Sequence, residues 1–220
     1  MYSVKINPNN ETIPVNTVFC LGNNYAGHIR EMGGEKPSEP VIFIKPTTAL
    51  ADGTHPIVLP GFSNTIHHEI ELVVLVDAVP KNISVEDAKK YILAYGVGLD
   101  LTARDVQARA REKGLPWTVA KGFDGSAPVS HFIEAGETTI TPDTSLRLRV
   151  NRQIRQQESI GNMIMPIPEI IAYISGIFTL RRGDLIFTGT PQGVGPLKPG
   201  DEVEAELVDI VSFATRVQKL

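Results

Sequence analysis

The hydrophobic pattern is clearest in the stretch HHEIELVVLV, where Ile, Leu and Val dominate from Ile70 to Val76. Such a run predicts a strand that is buried on both faces. Glu69 and Glu71 are two positions apart, so the period of a strand places both carboxylates on the same face. We therefore predict one strand over 67–76 that carries two acidic side chains into the interior.

Two interpretations of this acidic pair follow. Like charges in an apolar interior are unfavourable unless a positive group compensates them. A divalent cation with oxygen ligands is the simplest compensation. Alternatively, Glu69 and Glu71 lie at a hydrated sheet edge or form ion pairs with Arg and Lys. The strand by itself leaves both interpretations open.

Short apolar runs along the rest of the chain predict a mostly β (α+β) protein with three or four helices. The 19 Gly and 16 Pro are spread throughout, as expected for many short strands joined by turns. We divide the chain into a short N-terminal segment, 1–16, and a single domain over 17–220. Further strands are predicted within 1–16, at 17–21, 41–45, 57–59 and from 94 to 100 or 101, as a hairpin over 145–159, in the segment DLIFTGTP and as a closing pair after Lys198. Helices are predicted at 25–32 with Asn23 or Asn24 as cap, at 85–93, at 103–113 and from Pro166 or Pro168.

Composition narrows the classes of partner. Hydrophobic residues make up 42% of the 220 positions, charged residues 21%, and the net charge is −4. Because there is no basic block, we expect neither nucleic acid nor an anionic membrane as a partner. The single cysteine, Cys20, forms no internal disulfide, which fits a reducing compartment. With no long apolar run and no signal-peptide pattern, we expect a cytoplasmic protein.

A third carboxylate extends the acidic pair. Asp100 closes a glycine-rich apolar run and would join Glu69 and Glu71 in a site for a hard cation, Mg²⁺ or Mn²⁺. Zinc is disfavoured because the His and Cys residues lack a usual zinc spacing. We expect His67 and His68 to hydrogen-bond within the strand or beside the site.

The segment GNNYAGHIREMGG contains a candidate general base. His28 and Glu31 are three apart on a short predicted helix, so their side chains share one face. A carboxylate beside an imidazole fixes its tautomer and raises its basicity. The flanking glycines would let the segment move as a lid. The alternative is a surface helix with an ordinary His–Glu contact.

Four more polar residues are candidates for substrate contacts. Arg104 and Gln107, three apart on a predicted helix, would point towards the metal. Lys121, in a predicted loop, could neutralise a substrate carboxylate or an enolate. The turn in TGTPQGVG offers backbone donors and the hydroxyl of Thr190. For each of these residues the alternative is a solvated side chain or a simple turn.

Taken in order, the chain contains the motif series G-N-N-Y-A-x-H-x-x-E-M, F-I-K-P, H-H-E-x-E-L, G-x-x-L-D-L-T-x-R-D-x-Q, K-x-F-D-x-S-x-P and T-G-T-P-x-G-V-G. This series resembles the fumarylacetoacetate hydrolase family, and most of all its small members that act on acylpyruvates. The resemblance covers about Val18 to Val217. It implies the mixed β-roll or β-sandwich of the family's C-terminal domain, a homodimer, and one Mg²⁺ or Mn²⁺ per subunit. Asn23 stands where some relatives carry Arg.

The resemblance also implies roles for the site residues. The metal ligands would be Glu69, Glu71 and Asp100, the catalytic residues His28, Glu31 and Lys121, and the substrate-binding residues Arg104, Gln107 and Thr190. The expected activity is metal-dependent hydrolysis of the C–C bond of a 3-acylpyruvate, which gives pyruvate and a carboxylic acid by way of an enolate. Decarboxylation or keto–enol tautomerisation of oxaloacetate at the same site is the alternative. A non-catalytic metal-binding protein is a third interpretation.

Overall fold

The computed structural model describes residues 2–220, which form eighteen β-strands and five α-helices. The strands are β1 Ser3–Asn7, β2 Glu11–Pro14, β3 Val18–Gly22, β4 Val41–Lys45, β5 Leu50–Asp52, β6 Ile57–Leu59, β7 Ile66–His68, β8 Ile70–Val76, β9 Ile92–Leu99, β10 Thr102–Ala103, β11 Ala127–Val129, β12 Phe132–Glu134, β13 Ser145–Val150, β14 Gln153–Ser159, β15 Leu185–Phe187, β16 Gly195–Pro196, β17 Glu202–Leu207 and β18 Val211–Lys219. The helices are α1 Ala26–Glu31, α2 Val85–Ala88, α3 Arg104–Glu112, α4 Thr118–Lys121 and α5 Ile167–Ile177.

The strands form three sheets. A curled ten-stranded mixed sheet has the order β2-β1-β12-β9-β8-β15-β3-β4, with β11 and β5 attached through β9. A five-stranded sheet has the order β14-β13-β17-β18-β6, and a small sheet joins β10, β7 and β16. The predicted mostly-β architecture with a few short helices is confirmed.

Strand β8 lies at the centre of the large sheet and is buried on both faces, as its apolar run predicts. Leu72 and Val74 pack into the core that the large sheet shares with the five-stranded sheet. Val73 and Leu75 pack into a second core on the opposite face. Glu71 shares the parity of Val73 and Leu75, so its carboxylate lies on the face of the second core.

The predicted strand over 67–76 is interrupted at Glu69. Residues Ile66–His68 pair with β10 and β16 in the small sheet, whereas Ile70–Val76 pair with β9 and β15 in the large sheet. The backbone therefore changes sheets at Glu69. The expected convergence of Glu69 and Glu71 holds nevertheless, since both side chains are buried at the point where the two sheets meet.

Two predicted helices differ from those observed. The predicted helix 85–93 ends after one turn at Ala88 and a 3₁₀ turn over Lys89–Tyr91, because β9 begins at Ile92. Ser84 does cap α2, accepting a hydrogen bond from the Asp87 amide at 3.2 Å. Neither asparagine caps α1, whose N-cap position is Tyr25, without a side-chain hydrogen bond.

Several other sequence-based elements are confirmed. Helix α3 lies within one residue of its predicted bounds, and α5 begins at Ile167, between its two predicted starts. The hairpin β13–β14 turns at Asn151 and Arg152, whose φ angles are 53° and 65°. The loop predicted around Lys121 is wrong in part, because α4 occupies Thr118–Lys121.

The N-terminal hairpin β1–β2 joins the large sheet through the parallel pairing of β1 with β12. The division of the chain at residue 16 and the homodimer stay predictions. Among residues 2–220, every helix is too short or too polar to cross a bilayer.

Candidate metal and substrate site

Three carboxylates meet where the large and small sheets join. Glu69 lies in the break between β7 and β8, Glu71 is the second residue of β8, and Asp100 directly follows β9. Each offers one oxygen within 4.8 Å of the others, and the residues are only 3%, 2% and 1% exposed. We call these three residues the acidic cluster; they are the three carboxylates that the sequence predicts to lie together, although the strand is interrupted at Glu69.

Three cations surround the acidic cluster. The Lys121 ammonium lies 2.7 Å from Glu69 Oε2 and 2.5 Å from Asp100 Oδ2. Arg104 Nη2 donates to Glu69 Oε1. Lys45 Nζ lies 2.8 Å from Asp100 Oδ1. Three acidic side chains therefore share a buried volume with three cations, and two of the acids, Glu69 and Asp100, form ion pairs with them, as burial of ionised groups requires.

The pKa values of the two glutamates are shifted in opposite directions by their surroundings. Burial alone would raise the pKa of Glu69, but Lys121 and Arg104 outweigh it and hold the pKa below its usual value. Burial raises the pKa of Glu71 well above its usual value, and the charges of Asp100 and Glu69 raise it further. Burial would lower the pKa of Lys121, yet Asp100 and Glu69 raise it, so Lys121 stays an ammonium.

A glycine-rich turn, residues 188–195, closes the site above the acidic cluster. The Gly189 amide donates to Glu71 Oε2 at 2.7 Å, and the Gly193 amide donates to both oxygens of Glu31 at 3.1 and 3.0 Å. Both glycines have positive φ angles, 98° and 97°, which side-chain-bearing residues rarely adopt. The same turn therefore contacts one residue of the acidic cluster and one residue of α1.

The predicted pair of His28 and Glu31 lies beside the acidic cluster. His28 Nδ1 is buried and 3.6 Å from Glu31 Oε2, which is too long for a hydrogen bond. Burial lowers the pKa of His28, as do the charges of Arg104 and Lys121, against an opposing effect of Glu69. The imidazole is therefore neutral at physiological pH and able to accept a proton.

The residues predicted to bind substrate lie around the same space. Arg104 Nη1 donates to Gln107 Oε1 at 2.6 Å, and Arg104 Nε donates to His67 Nδ1 at 3.4 Å. The Thr190 hydroxyl donates to the Ile70 carbonyl at 2.8 Å. The cavity bounded by these groups has a volume of about 140 Å³, and its walls include His28, Arg104, Gln107, Lys121, Thr190 and all three residues of the acidic cluster. All nine residues singled out in the sequence lie at this site, eight of them on the cavity wall.

Glu31 is the one predicted residue outside the cavity wall. Its side chain is 34% exposed and bound by Gly193. His67 contacts Arg104. Burial, together with a smaller effect of the Arg104 charge, lowers the pKa of His67 to about 4. His68 contacts Gln156 at 3.0 Å through its Nδ1 atom. The expectation that both histidines hydrogen-bond beside the site is confirmed.

Two buried polar residues received no role from the sequence. Lys45, which ends β4, contacts Asp100 and donates to Ser126 Oγ at 3.0 Å and to the Lys121 carbonyl. It belongs to the motif F-I-K-P, in which a lysine at the end of an apolar strand gives only a weak signal of burial. Lys45 thus links one acidic ligand candidate to the backbone that carries Lys121.

Gln156 is the second residue without a predicted role. Its carbonyl oxygen contacts His68 Nδ1 and accepts from the Ile70 amide at 3.1 Å. Its amide nitrogen donates to Thr190 Oγ1 and the Pro191 carbonyl, both at 2.8 Å. The register pairs Gln156 with Leu148, a core residue, which indicates that Gln156 also faces inward. Gln156 therefore fixes the glycine-rich turn to the start of β8.

The donor set fits a hard divalent cation. Carboxylate oxygens are the ligands that Mg²⁺ and Mn²⁺ prefer. Within residues 2–220, Glu71 forms no ion pair, although it is buried beside two other carboxylates. The Asp100 Oδ1 atom accepts no hydrogen bond in the described chain and has only the ion pair with Lys45. Glu71, a buried carboxylate without a cationic partner, is therefore a suitable ligand for a metal ion.

Comparison with known proteins identifies relatives over nearly the whole chain. The chain is 50% identical over 205 residues to the oxaloacetate tautomerase YcgM of Escherichia coli, covering 93% of each chain. It is 45% identical over 202 residues to the mitochondrial oxaloacetate tautomerase FAHD1 of Homo sapiens, covering 92% of this chain and 91% of that protein.

A solved structure gives the same result for the fold. The crystal structure of fumarylpyruvate hydrolase from Pseudomonas aeruginosa, in complex with Mn²⁺ and pyruvate, matches with a TM-score of 0.95 at 37% identity. The match covers 100% of this chain and 96% of that one. The family model described as fumarylacetoacetate (FAA) hydrolase C-terminal spans residues 17–218. By fold, by sequence and by the motifs that build the acidic cluster, this chain belongs to the fumarylacetoacetate hydrolase family.

Proposed function

We propose that this chain is a metal-dependent enzyme that interconverts the keto and enol forms of oxaloacetate or a closely related 2-oxo diacid. The observation that carries the proposal is the convergence of the buried acidic cluster with Lys121, Arg104 and His28 around one cavity. Relatives at 45% and 50% identity are named oxaloacetate tautomerases, which favours tautomerisation over hydrolysis.

The acidic cluster would hold Mg²⁺ or Mn²⁺ through Glu69, Glu71 and Asp100. When bound, the ion would act as a Lewis acid towards the 2-oxo group of the substrate. Arg104 presents a guanidinium whose donors suit the carboxylate next to that oxo group. Gln107 accepts from Arg104 at 2.6 Å and so holds the guanidinium in place.

His28 would move the proton. In the keto form C3 carries two hydrogens, and enol formation transfers one of them as a proton to a base, while the C2 oxygen takes a proton from solvent and the base later releases its proton to solvent. The neutral imidazole of His28 accepts the C3 proton and returns it in the reverse reaction. The Lys121 ammonium stabilises the negative charge that develops on the C2 oxygen. Glu31, 3.6 Å from His28 Nδ1, favours the protonated imidazole during the transfer.

The test follows the enol directly. Freshly dissolved oxaloacetate is mixed with the protein and Mg²⁺, and the decay of the enol absorbance is compared with the uncatalysed rate. We expect a metal-dependent acceleration that excess chelator removes. An unchanged decay rate over a range of protein concentrations would contradict the proposal.

Hydrolysis of a 3-acylpyruvate is the second candidate, favoured by the match to fumarylpyruvate hydrolase and by the His28–Glu31 pair, which could activate a water molecule. A lactate dehydrogenase assay for pyruvate separates the candidates, because tautomerisation releases no pyruvate. Acetylpyruvate and fumarylpyruvate test hydrolysis in this assay, and oxaloacetate tests decarboxylation. If pyruvate forms rapidly from an acylpyruvate while the enol decay is unaffected, hydrolysis replaces tautomerisation as the function.

A further inference from the structure

Helix α3 carries three polar residues towards the cavity. Arg104, Gln107 and Arg111 are spaced by three and by seven positions and therefore lie along one face of the helix. All three are part of the cavity wall. A helix rises about 1.5 Å per residue, so Arg111 lies about 10 Å along the axis from Arg104. The face thus runs from the acidic cluster towards the mouth of the cavity.

The three residues differ in their partners. Arg104 donates to Glu69 and to Gln107. On another face of the same helix, Arg109 Nη1 lies 3.5 Å from Asp105 Oδ2. Within residues 2–220, no carboxylate lies within ion-pair distance of Arg111, which is exposed. Arg111 therefore keeps its guanidinium donors available for an anion in the cavity.

The charges at the site favour a dianion. The acidic cluster is balanced by Arg104, Lys121 and Lys45. Arg111 and Glu35, the two charged residues at the exposed part of the cavity wall, add one charge of each sign, so a divalent cation would leave the site with a net charge of +2. One carboxylate of a 2-oxo acid compensates only one of these charges. A second carboxylate on the substrate would compensate the other.

We propose that Arg111 binds the distal carboxylate of the substrate and makes the enzyme selective for 2-oxo dicarboxylic acids over 2-oxo monocarboxylic acids. The inference rests on the proposed function, since it places the 2-oxo acid end at the acidic cluster. The distal carboxylate accepts charge-assisted hydrogen bonds from the guanidinium, a geometry that Arg supports better than Lys. Leu21 and Phe43, also on the cavity wall, pack along the carbon chain between the two ends.

The test uses two unreactive probes that have the same chain length. 2-Oxoglutarate has a distal carboxylate, and 2-oxopentanoate has a methyl group at that position. Binding of each is measured by calorimetry with Mg²⁺ present, for the wild type, Arg111→Gln and the matched control Arg109→Gln. We expect the wild type to bind 2-oxoglutarate about tenfold more tightly than 2-oxopentanoate, a difference in binding free energy of about 1.4 kcal/mol. Arg111→Gln should bring the ratio close to one, and Arg109→Gln should preserve it.

Other outcomes would overturn the assignment. If Arg111→Gln weakens both probes equally, Arg111 acts through general charge or structure, and the specificity role is wrong. If it weakens neither, Arg111 does not contact the substrate. In turnover assays, we expect Arg111→Gln to raise the KM for oxaloacetate about tenfold with kcat unchanged. The same variant should leave the KM for acetylpyruvate constant. A wild type that turns over neither substrate would contradict the proposed function, whereas the ratio of the probe affinities would still test Arg111.

Discussion

The acidic cluster and helix α1 face the same cavity but are built differently. Glu69, Glu71 and Asp100 are almost fully buried on the backbone of a ten-stranded sheet. Helix α1 has six residues, lacks a side-chain cap, and contacts the glycine-rich turn through Glu31, whose side chain is 34% exposed. A short helix contributes little stability of its own. The molecule therefore separates a rigid part, the proposed metal site, from a lightly anchored part that carries the proposed base.

Substitution of Glu71 should have the largest effect, because it acts on the rigid part. Glu71→Gln removes the charge of one proposed metal ligand, so Mg²⁺ affinity should fall. We expect metal-dependent turnover to fall about 10³-fold or more. Calorimetric titration of Mg²⁺ and the enol-decay assay measure both effects. Glu204→Gln, an exposed change on β17, is the control. Unaltered Mg²⁺ affinity in Glu71→Gln would show that the acidic cluster is not the metal site.

Substitution of His28 should impair only the function of helix α1 and leave the acidic cluster intact. For His28→Ala we expect tautomerisation and acylpyruvate cleavage to fall by about 10²–10⁴-fold, the usual contribution of a general base. Mg²⁺ affinity should stay within about twofold, since the imidazole does not belong to the acidic cluster. Arg30→Gln, exposed on the same helix, is the matched control. If Mg²⁺ affinity collapses together with activity, the two parts are not separable.

The anchor of α1 can be tested through Gly193. A Cβ at Gly193 would lie 2.0 Å from the Arg155 carbonyl, at a φ of 97°. Gly193→Ala should therefore displace the amide that binds Glu31 and reduce kcat about tenfold. Gly200→Ala is the control, because Gly200 has a φ of 91° but open space around its Cβ position.

Both glycine variants should lose about 1–2 kcal/mol of stability from the left-handed backbone alone. Thermal melts report that loss, and kcat at a permissive temperature reports the displacement. If the two variants have the same kcat, the contact between Gly193 and Glu31 does not position the base.

The smallest effect is expected from substitution of Gln156, which connects the start of β8 to the glycine-rich turn. Gln156→Glu keeps an acceptor for the Ile70 amide but removes both donors to the glycine-rich turn, at Thr190 and Pro191. We expect kcat to fall several-fold with Mg²⁺ affinity nearly unchanged. Gln157→Glu, which is exposed on the same strand, should match the wild type. Loss of Mg²⁺ affinity in Gln156→Glu would mean that the residue supports the acidic cluster instead.

The sequence predicted the buried residues of the site better than their local backbone. The alternation at Glu69 and Glu71 and the position of Asp100 after a glycine-rich strand follow from strand periodicity, and the structure brings the three together. The switch between sheets at Glu69 was missed, because it depends on long-range pairing with β10 and β16.

The sequence also did not predict polar contacts between residues that are distant along the chain. Lys45 and Asp100 are 2.8 Å apart although no local pattern relates them. Gln156 lies opposite Leu148 in a hairpin, so its burial follows from register, but its four partners come from β7, β8 and the glycine-rich turn. The break of the predicted helix 85–93 likewise reflects the pairing of β9, which overrides local helix propensity.

Lys45, Lys121 and Arg104 form ion pairs with Glu69 and Asp100, which has a consequence for how the protein matures. Because these charges compensate one another without a metal ion, the protein should fold in the absence of the ion, in contrast to small domains that fold only around zinc. We expect a cooperative melting transition in excess chelator, and an unfolded chain under those conditions would contradict this. Supply of Mg²⁺ or Mn²⁺ in a cell would then govern how much of the protein is active without changing how much of it accumulates.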